Sequence, residues 1–129
     1  RNAEDPQARS SMMPAYGVQG LLTRDEIGDT AEYVLSLSGR EHDAARAENG
    51  AEIYAANCAA CHGADGKGQE ILGAPNLTDA LWLYGGSREA IVSQIYEPQH
   101  GVMPPWGERL DEATRKKLAV YVHARGGGQ

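Results

Sequence analysis

The segment of this chain best suited to chemistry is Cys58-Ala59-Ala60-Cys61-His62. Two thiols one helical turn apart can each add to a vinyl group of a single porphyrin, and the next imidazole then lies beneath the iron as its proximal ligand. The order Cys-x-x-Cys-His is the attachment signature of c-type haem. The sequence therefore predicts one haem c, anchored by Cys58 and Cys61 and ligated by His62.

Three other uses of the cysteines compete with this interpretation. A disulfide or a thioredoxin-like redox pair is compatible with the spacing of Cys58 and Cys61, the only two cysteines in the chain. Neither use explains the adjacent His62. A structural zinc site needs about four Cys or His ligands in two pairs, and the sequence contains no second pair.

A candidate for the sixth iron ligand is Met103, which lies in Gly101-Val102-Met103-Pro104-Pro105-Trp106-Gly107. The glycines and prolines predict a rigid loop, which can hold a thioether against a metal. Histidine together with methionine raises the reduction potential, as suits an electron carrier. His100 is the rival ligand and would give a lower potential.

Other residues have predicted roles around the porphyrin. The carbonyl of Pro75 can accept a hydrogen bond from the free imidazole nitrogen of His62 and so orient the ring, and Leu77 would then pack on the haem face. Trp82, Tyr84 and Trp106 can place a ring against the porphyrin with the polar tip on a propionate, or can serve in packing alone. Arg88 either neutralises a propionate or is solvated at a helix start.

The order of these motifs resembles a class I cytochrome c, in which an all-α fold wraps helices round one haem. Residues 57–63, 74–79, 82–86 and 101–104 resemble more closely the second haem domain of the dihaem subunit, subunit III, of cbb3-type cytochrome c oxidases. In that family the first and last helices of a cytochrome domain cross. The resemblance implies that Gly50 and Tyr54 meet a helix face bearing Leu118 and Tyr121, with Tyr121 mainly in the core.

The same resemblance implies a function and a location. The domain would relay one electron at a time, with no catalytic site of its own. It would take electrons from an upstream cytochrome haem or a soluble cytochrome c donor, and pass them to the haem-copper catalytic subunit. Its place would be the periplasmic face of the bacterial inner membrane, cut away from an N-terminal anchor helix. The alternatives are the cytochrome subunit of a periplasmic dehydrogenase and, from another class, a haem peroxidase or gas sensor with an open sixth position.

An internal repeat supports a tandem origin. Met13-Pro14-Ala15-Tyr16-Gly17 recurs as Met103-Pro104-Pro105-Trp106-Gly107, and Tyr33-Val34 recurs as Tyr121-Val122. The first copy has no Cys-x-x-Cys-His. We therefore expect residues 1–38 to be the end of an upstream cytochrome domain, 39–46 a linker, 47–126 a complete haem domain and 127–129 a tail. Met13 is expected to be a packing or surface residue.

Composition agrees with a small domain built round a cofactor. The 129 residues include no phenylalanine, six tyrosines and two tryptophans, so a buried porphyrin would supply much of the apolar mass. A net charge of −6 argues against a nucleic-acid partner and permits steering of a positively charged redox partner. The apolar runs are shorter than the roughly 18 residues of a membrane span, so we expect none in this chain.

Helix-capping residues and apolar stripes in the sequence predict which helices carry the motifs described above. Thr23 and Glu26 predict a capping box, followed by an apolar stripe of Ile27, Ala31, Val34 and Leu35. A second helix is predicted from about Glu48 to Asn57, and Cys58 follows directly at its C-terminal end. Ser87 and Asp111 are predicted to cap two more helices.

Overall fold

The computed structural model describes residues 12–101 and 104–127 of the chain. Within them the regular structure is helical, which confirms the all-α prediction. The helices are α1 (Arg24–Leu37), α2 (Ala44–Asn57), α3 (Ala59–His62), α4 (Arg88–Tyr96) and α5 (Glu112–Val122). A 3₁₀ turn at Glu70–Leu72 interrupts the long connection between α3 and α4, and a π-helical turn at His123–Gly127 extends α5.

Side-chain caps set the starts of the four longer helices. Thr23, Ser87 and Asp111 cap α1, α4 and α5 as predicted, and Thr23 forms the expected capping box with Glu26. The start of α2 differs from the prediction. Asp43 accepts a hydrogen bond from the Arg46 N–H at 3.1 Å, so α2 begins four residues before Glu48.

Helix α1 packs on α2 and α4 and supplies much of the core. Its predicted stripe of Ile27, Ala31, Val34 and Leu35 is buried. The stripe belongs to one apolar cluster with residues of α2 and α4: Tyr54, Ile91 and Ile95. The aromatic contact in this cluster joins Tyr33 and Tyr54, whose ring centroids are 5.1 Å apart.

The partner of α2 differs from the one that the resemblance implied. Gly50 does permit a close helix crossing, but the backbone it meets is that of α1, because a Cβ at Gly50 would overlap with the Asp29 carbonyl. Leu118, Tyr121 and Val122 of α5 are 48%, 56% and 57% exposed. The expectation that Tyr121 is mainly core is therefore wrong, since α1 occupies the face of α2 that α5 was expected to cover.

Two ion pairs fasten α1 to its neighbours. Arg88, at the start of α4, pairs with Glu32, which is only 2% exposed, while the Arg88 side chain itself stays about half exposed to solvent, as one of the two predictions for it expected. Arg46 of α2 donates to Asp29 at 2.5 Å. Among the described residues, no helix combines the length and apolar character needed to cross a bilayer.

Candidate functional site

The cysteine-histidine motif lies on a single helical turn. Cys58 ends α2, with its N–H bonded to the Tyr54 carbonyl at 2.8 Å, and it starts α3. The N–H groups of Cys61 and His62 both point back to the Cys58 carbonyl, at 3.1 and 2.9 Å. The backbone therefore brings both thiols and the imidazole to one turn, as haem attachment requires.

Both cysteines are free thiols, and they differ in environment. Cys58 is buried and Cys61 is exposed. Burial, with a smaller contribution from the charge of Cys61, raises the pKa of the Cys58 thiol to about 11. A thiol with a raised pKa is seldom a thiolate at neutral pH, so Cys58 is unsuited to the role of a redox nucleophile.

His62 is held in a buried, oriented position. Its Nδ1 atom lies 3.1 Å from the Pro75 carbonyl oxygen, so the hydrogen bond expected from the sequence is present. Burial lowers the pKa of His62, while the Pro75 bond acts in the opposite direction. The ring is therefore kept neutral, and Nε2 is the nitrogen left for a metal.

A glycine-rich loop brings Pro75 back to His62. The N–H of Gly68 donates to the His62 carbonyl at 2.7 Å, and the N–H of Leu77 donates to the Gly66 carbonyl at 2.7 Å. Gly68 has a φ of +81°, and a Cβ there would overlap with the backbone of Ala74 and Pro75. The loop therefore needs glycine at this position in order to close beneath the imidazole.

Tyr54 connects α2 to the same loop. Its hydroxyl donates to the Gly63 carbonyl at 2.8 Å, next to His62. The ring is almost fully buried, and burial is the main reason that the pKa of its hydroxyl is raised to about 12. Tyr54 thus fixes the chain on the C-terminal side of the imidazole as a neutral hydrogen-bond donor.

The predicted flanking residues fall into two groups. Leu77 is half-buried and packs against the apolar cluster that contains Cys58. Trp82 donates from Nε1 to the Asp79 carbonyl at 3.0 Å, and the guanidinium of Arg40 lies 5.3 Å from its ring. Tyr84 and Trp106 are more exposed, and Arg109 covers the Trp106 ring at 5.5 Å. Trp82, like Leu77, packs against the cluster that contains Cys58. The structure thus assembles Cys58, Cys61, His62 and Pro75, whereas the ring of Trp106 is in contact with Arg109.

Met103 lies outside the described residues, as does its neighbour Val102. The assignment of the sixth ligand to Met103, with His100 as its rival, therefore stays a prediction. His100 itself is half-buried.

Tyr16 is a residue near the site that the sequence analysis did not single out. Its buried hydroxyl donates to the Asn57 carbonyl at 2.7 Å, one residue before Cys58. Burial and the two nearby cysteines raise the pKa of this hydroxyl. Met13 packs, half-buried, against the same apolar cluster. The internal repeat of residues 13–17 and 103–107 could have drawn attention to Tyr16, because Tyr16 corresponds to Trp106, which was predicted to lie near the porphyrin.

The donor set fits a covalently attached haem. Two free thiols one turn apart, a neutral histidine with Nε2 available and a carbonyl partner on Nδ1 are the groups that such a cofactor needs. In this arrangement Cys58 and Cys61 would form the thioethers, and His62 would bind the iron.

Comparison with known proteins gives an independent view of the chain. Residues 45–122 match the family described as "Cytochrome C oxidase, cbb3-type, subunit III". The chain is 53% identical over 129 residues to the cbb3-type cytochrome c oxidase subunit CcoP of Cereibacter sphaeroides, covering 100% of the chain and 44% of that protein. It is 46% identical to the subunit FixP of Sinorhizobium medicae, with the same coverage.

A third relative, the subunit CcoP of Azospirillum brasilense, is 48% identical over 134 residues, which cover 98% of the chain and 45% of that protein. The chain thus spans less than half the length of the curated relatives that it matches.

Proposed function

Because this chain belongs to the cbb3-type cytochrome c oxidase subunit III family, we propose that it is a one-electron relay that serves such an oxidase in aerobic respiration. The family carries covalently bound haem c, and the Cys58–His62 turn is the place for it. When bound, the haem supplies an iron that alternates between ferric and ferrous states and so holds one electron at a time.

The observation that carries this proposal is the arrangement of His62 and Pro75. The 3.1 Å hydrogen bond to the Pro75 carbonyl orients the imidazole and strengthens it as a ligand. Cys58 and Cys61 tether the porphyrin on the same helical turn. These residues bind and orient the cofactor, and none of them acts as a catalytic acid or base.

Met103 is the proposed sixth ligand of the haem iron. A thioether ligand in addition to His62 would raise the reduction potential of a bound haem iron and leave it no open position for small molecules. This choice favours electron transfer over a peroxidase or gas sensor, both of which need an open or displaceable ligand. A bis-histidine iron with His100 would still transfer electrons, at a lower potential.

The proposed partners follow from the names of the relatives, which are subunits of a cbb3-type oxidase. The chain would receive electrons from an upstream cytochrome haem or a soluble cytochrome c and pass them to the haem-copper catalytic subunit. It would work at the periplasmic face of the inner membrane. Its net charge of −6 suits a positively charged docking partner.

Affinity purification of the native protein that contains this sequence tests the partner. We expect the haem-copper catalytic subunit to be recovered in equal amount. Recovery of a periplasmic dehydrogenase without the catalytic subunit would contradict the proposal. In a second test, the reduced haem-loaded chain is exposed to carbon monoxide, and its visible spectrum should not change. Tight binding of the gas would instead indicate an open iron.

A further inference from the structure

Gln69 links two parts of the site through its backbone and its side chain. Its N–H and carbonyl pair with the carbonyl and N–H of Ala74, at 3.1 Å each, in an isolated antiparallel bridge. Its side chain reaches back nine residues along the chain, where Nε2 donates to the Ala60 carbonyl at 2.8 Å. Gln69 therefore joins the segment before Pro75 to the helical turn that carries the cysteines.

The Ala60 carbonyl is a group that needs such a partner. Helix α3 ends at His62, so the residue four positions after Ala60 lies outside the helix. The last carbonyls of a helix depend on side chains, water or loop backbone for their hydrogen bonds. The carbonyl that Gln69 holds belongs to the peptide between Ala60 and Cys61. Because a peptide is planar, this bond fixes the orientation of the backbone between the two cysteines.

The other end of the link leads to the imidazole. Ala74 directly precedes Pro75, whose carbonyl oxygen lies 3.1 Å from Nδ1 of His62. Gly68 directly precedes Gln69, and its N–H donates to the His62 carbonyl at 2.7 Å. The bridge between Gln69 and Ala74 therefore holds together the two segments that contact His62, one through its ring and the other through its backbone.

We propose that Gln69 is a positioning residue for the iron ligand: by clamping the Pro75 segment to the Cys61 peptide, it maintains the hydrogen bond from His62 to the Pro75 carbonyl. This inference rests on the proposed function, because it concerns the same ligand. An imidazole whose N–H is bonded to a carbonyl is the more basic ligand. Ferric iron carries one more positive charge than ferrous iron and gains more from a basic ligand, so the clamp lowers the reduction potential.

The control variant removes a comparable hydrogen bond outside the motif. Gln69 and Thr114 are both half-buried. The hydroxyl of Thr114, in α5, donates to Asp111 at 2.7 Å. Gln69→Met and Thr114→Val each keep the size of the side chain and remove its polar group. A purely structural role for Gln69 predicts that the two variants behave alike at His62.

Proton NMR of the reduced, haem-loaded chain tests the clamp through the Nδ1 proton of His62. We expect this proton to exchange with solvent about tenfold faster in Gln69→Met than in the wild-type chain. At a fixed ambient potential, the ratio of ferrous to ferric haem should rise roughly threefold in this variant, because the imidazole becomes a weaker ligand. Thr114→Val should leave both quantities unchanged.

The variant Gln69→Lys keeps a donor that can reach the Ala60 carbonyl, and it should restore slow exchange of the His62 proton. Its added charge alters the potential directly, so the proton alone is compared. If Gln69→Met does not retain haem, retention by Gln69→Lys supports the inference, and failure of both variants overturns it.

Two further results would overturn the inference while leaving the proposed function intact. In one, Gln69→Met matches the wild-type chain in proton exchange and in the ratio of ferrous to ferric haem. In the other, Gln69→Lys exchanges the His62 proton as fast as Gln69→Met. A wild-type chain that binds no haem, or whose iron is not ligated by His62, would overturn the proposed function and this inference with it.

Discussion

At the scale of single residues, the geometry round His62 depends on two hydrogen bonds from outside the motif. Pro75 orients the imidazole through Nδ1, and Tyr54 fixes the carbonyl of the next residue, Gly63. Both partners are distant in the sequence from the ligand that they support, by 13 and 8 residues respectively (75 minus 62, and 62 minus 54). The ligand is therefore positioned by α2 and by the glycine-rich loop together.

The variant Tyr54→Phe should lower the free energy of unfolding by about 1–3 kcal/mol, because it leaves the Gly63 carbonyl without its buried donor. Urea unfolding of the haem-loaded chain measures this change. Tyr33→Phe is the control, since the structure records no hydrogen bond for the Tyr33 hydroxyl within the described residues. A loss of stability as large in Tyr33→Phe as in Tyr54→Phe would contradict the role given to the Tyr54 hydroxyl.

Sequence reasoning works well for residues whose role is local. Cys58, Cys61 and His62 lie within five residues of one another, and Pro75 was identified from its place about a dozen residues after the histidine. Tyr16 was not identified, because its contact with Asn57 joins residues 41 apart and nothing in its neighbourhood predicts that contact. The conformation at Met103 lies outside the described residues, so its assignment rests on sequence alone.

At the scale of elements, the crossing of α1 and α2 depends on the missing side chain at Gly50. Alanine stabilises an open helix relative to glycine by about 1 kcal/mol. At Gly50 the added Cβ would instead meet the Asp29 carbonyl, so Gly50→Ala should destabilise the chain by about 1–3 kcal/mol.

Gly28→Ala provides the control for this prediction. The nearest atoms to a Cβ at Gly28 on the facing helix belong to the guanidinium of Arg46, the far end of a side chain that can shift more easily than backbone. Urea unfolding should show little change or a small gain in stability for Gly28→Ala. Equal stability of Gly50→Ala and the wild-type chain would show that α1 is not pressed against α2.

The ion pair of Glu32 and Arg88 should make α1 sensitive to acid. The hydrogen bond from Arg88 lowers the pKa of Glu32 in the folded chain, although burial opposes this shift. A lowered folded pKa contributes stability that is complete above the unfolded value, about 4.3 for glutamate, and is lost as the pH falls through the folded value. Amide hydrogen exchange should therefore show that the α1 amides lose protection below about pH 4.

Two variants distinguish this effect from general acid unfolding. Glu32→Gln should cost roughly 1–3 kcal/mol at neutral pH and should flatten the acid dependence of stability. Glu112→Gln removes the carboxylate of an exposed pair with Lys116 and should leave that dependence unchanged. An unaltered acid dependence in Glu32→Gln would exclude Glu32 as its source.

The starts of α1, α4 and α5 were predictable because a cap and the helix that follows it are contiguous. The partner of α2 was not, because α1 and α5 carry similar apolar patterns, and the pattern alone does not say which helix covers the face round Gly50. What separates them is the charge at Asp29 and Glu32, whose partners Arg46 and Arg88 belong to other helices. Local patterns do not contain that information.

At the scale of the whole molecule, the segment before α2 is built into the haem domain. Tyr16 bonds to the end of α2, the N–H of Gly17 donates to the Tyr96 carbonyl at 3.1 Å, and Arg40 bonds to the Gly86 carbonyl. The division into an upstream remnant, residues 1–38, and a haem domain, residues 47–126, stays a prediction about the origin of these parts. In the part of the chain that the structure describes, residues of both parts, among them Tyr16, Ile27 and Tyr54, share one core.

The visible absorption spectrum of the purified chain, oxidised and reduced, tests whether His62 and Met103 bind the iron of one covalent haem, with haem quantified as the alkaline pyridine haemochrome. It is repeated on the variant Met103→His. We predict one covalent haem c per chain, with a methionine-to-iron charge-transfer band in the oxidised wild-type protein that the variant lacks. A wild-type spectrum without that band would contradict the His62 and Met103 ligation, and a chain that carries no haem would contradict the account as a whole.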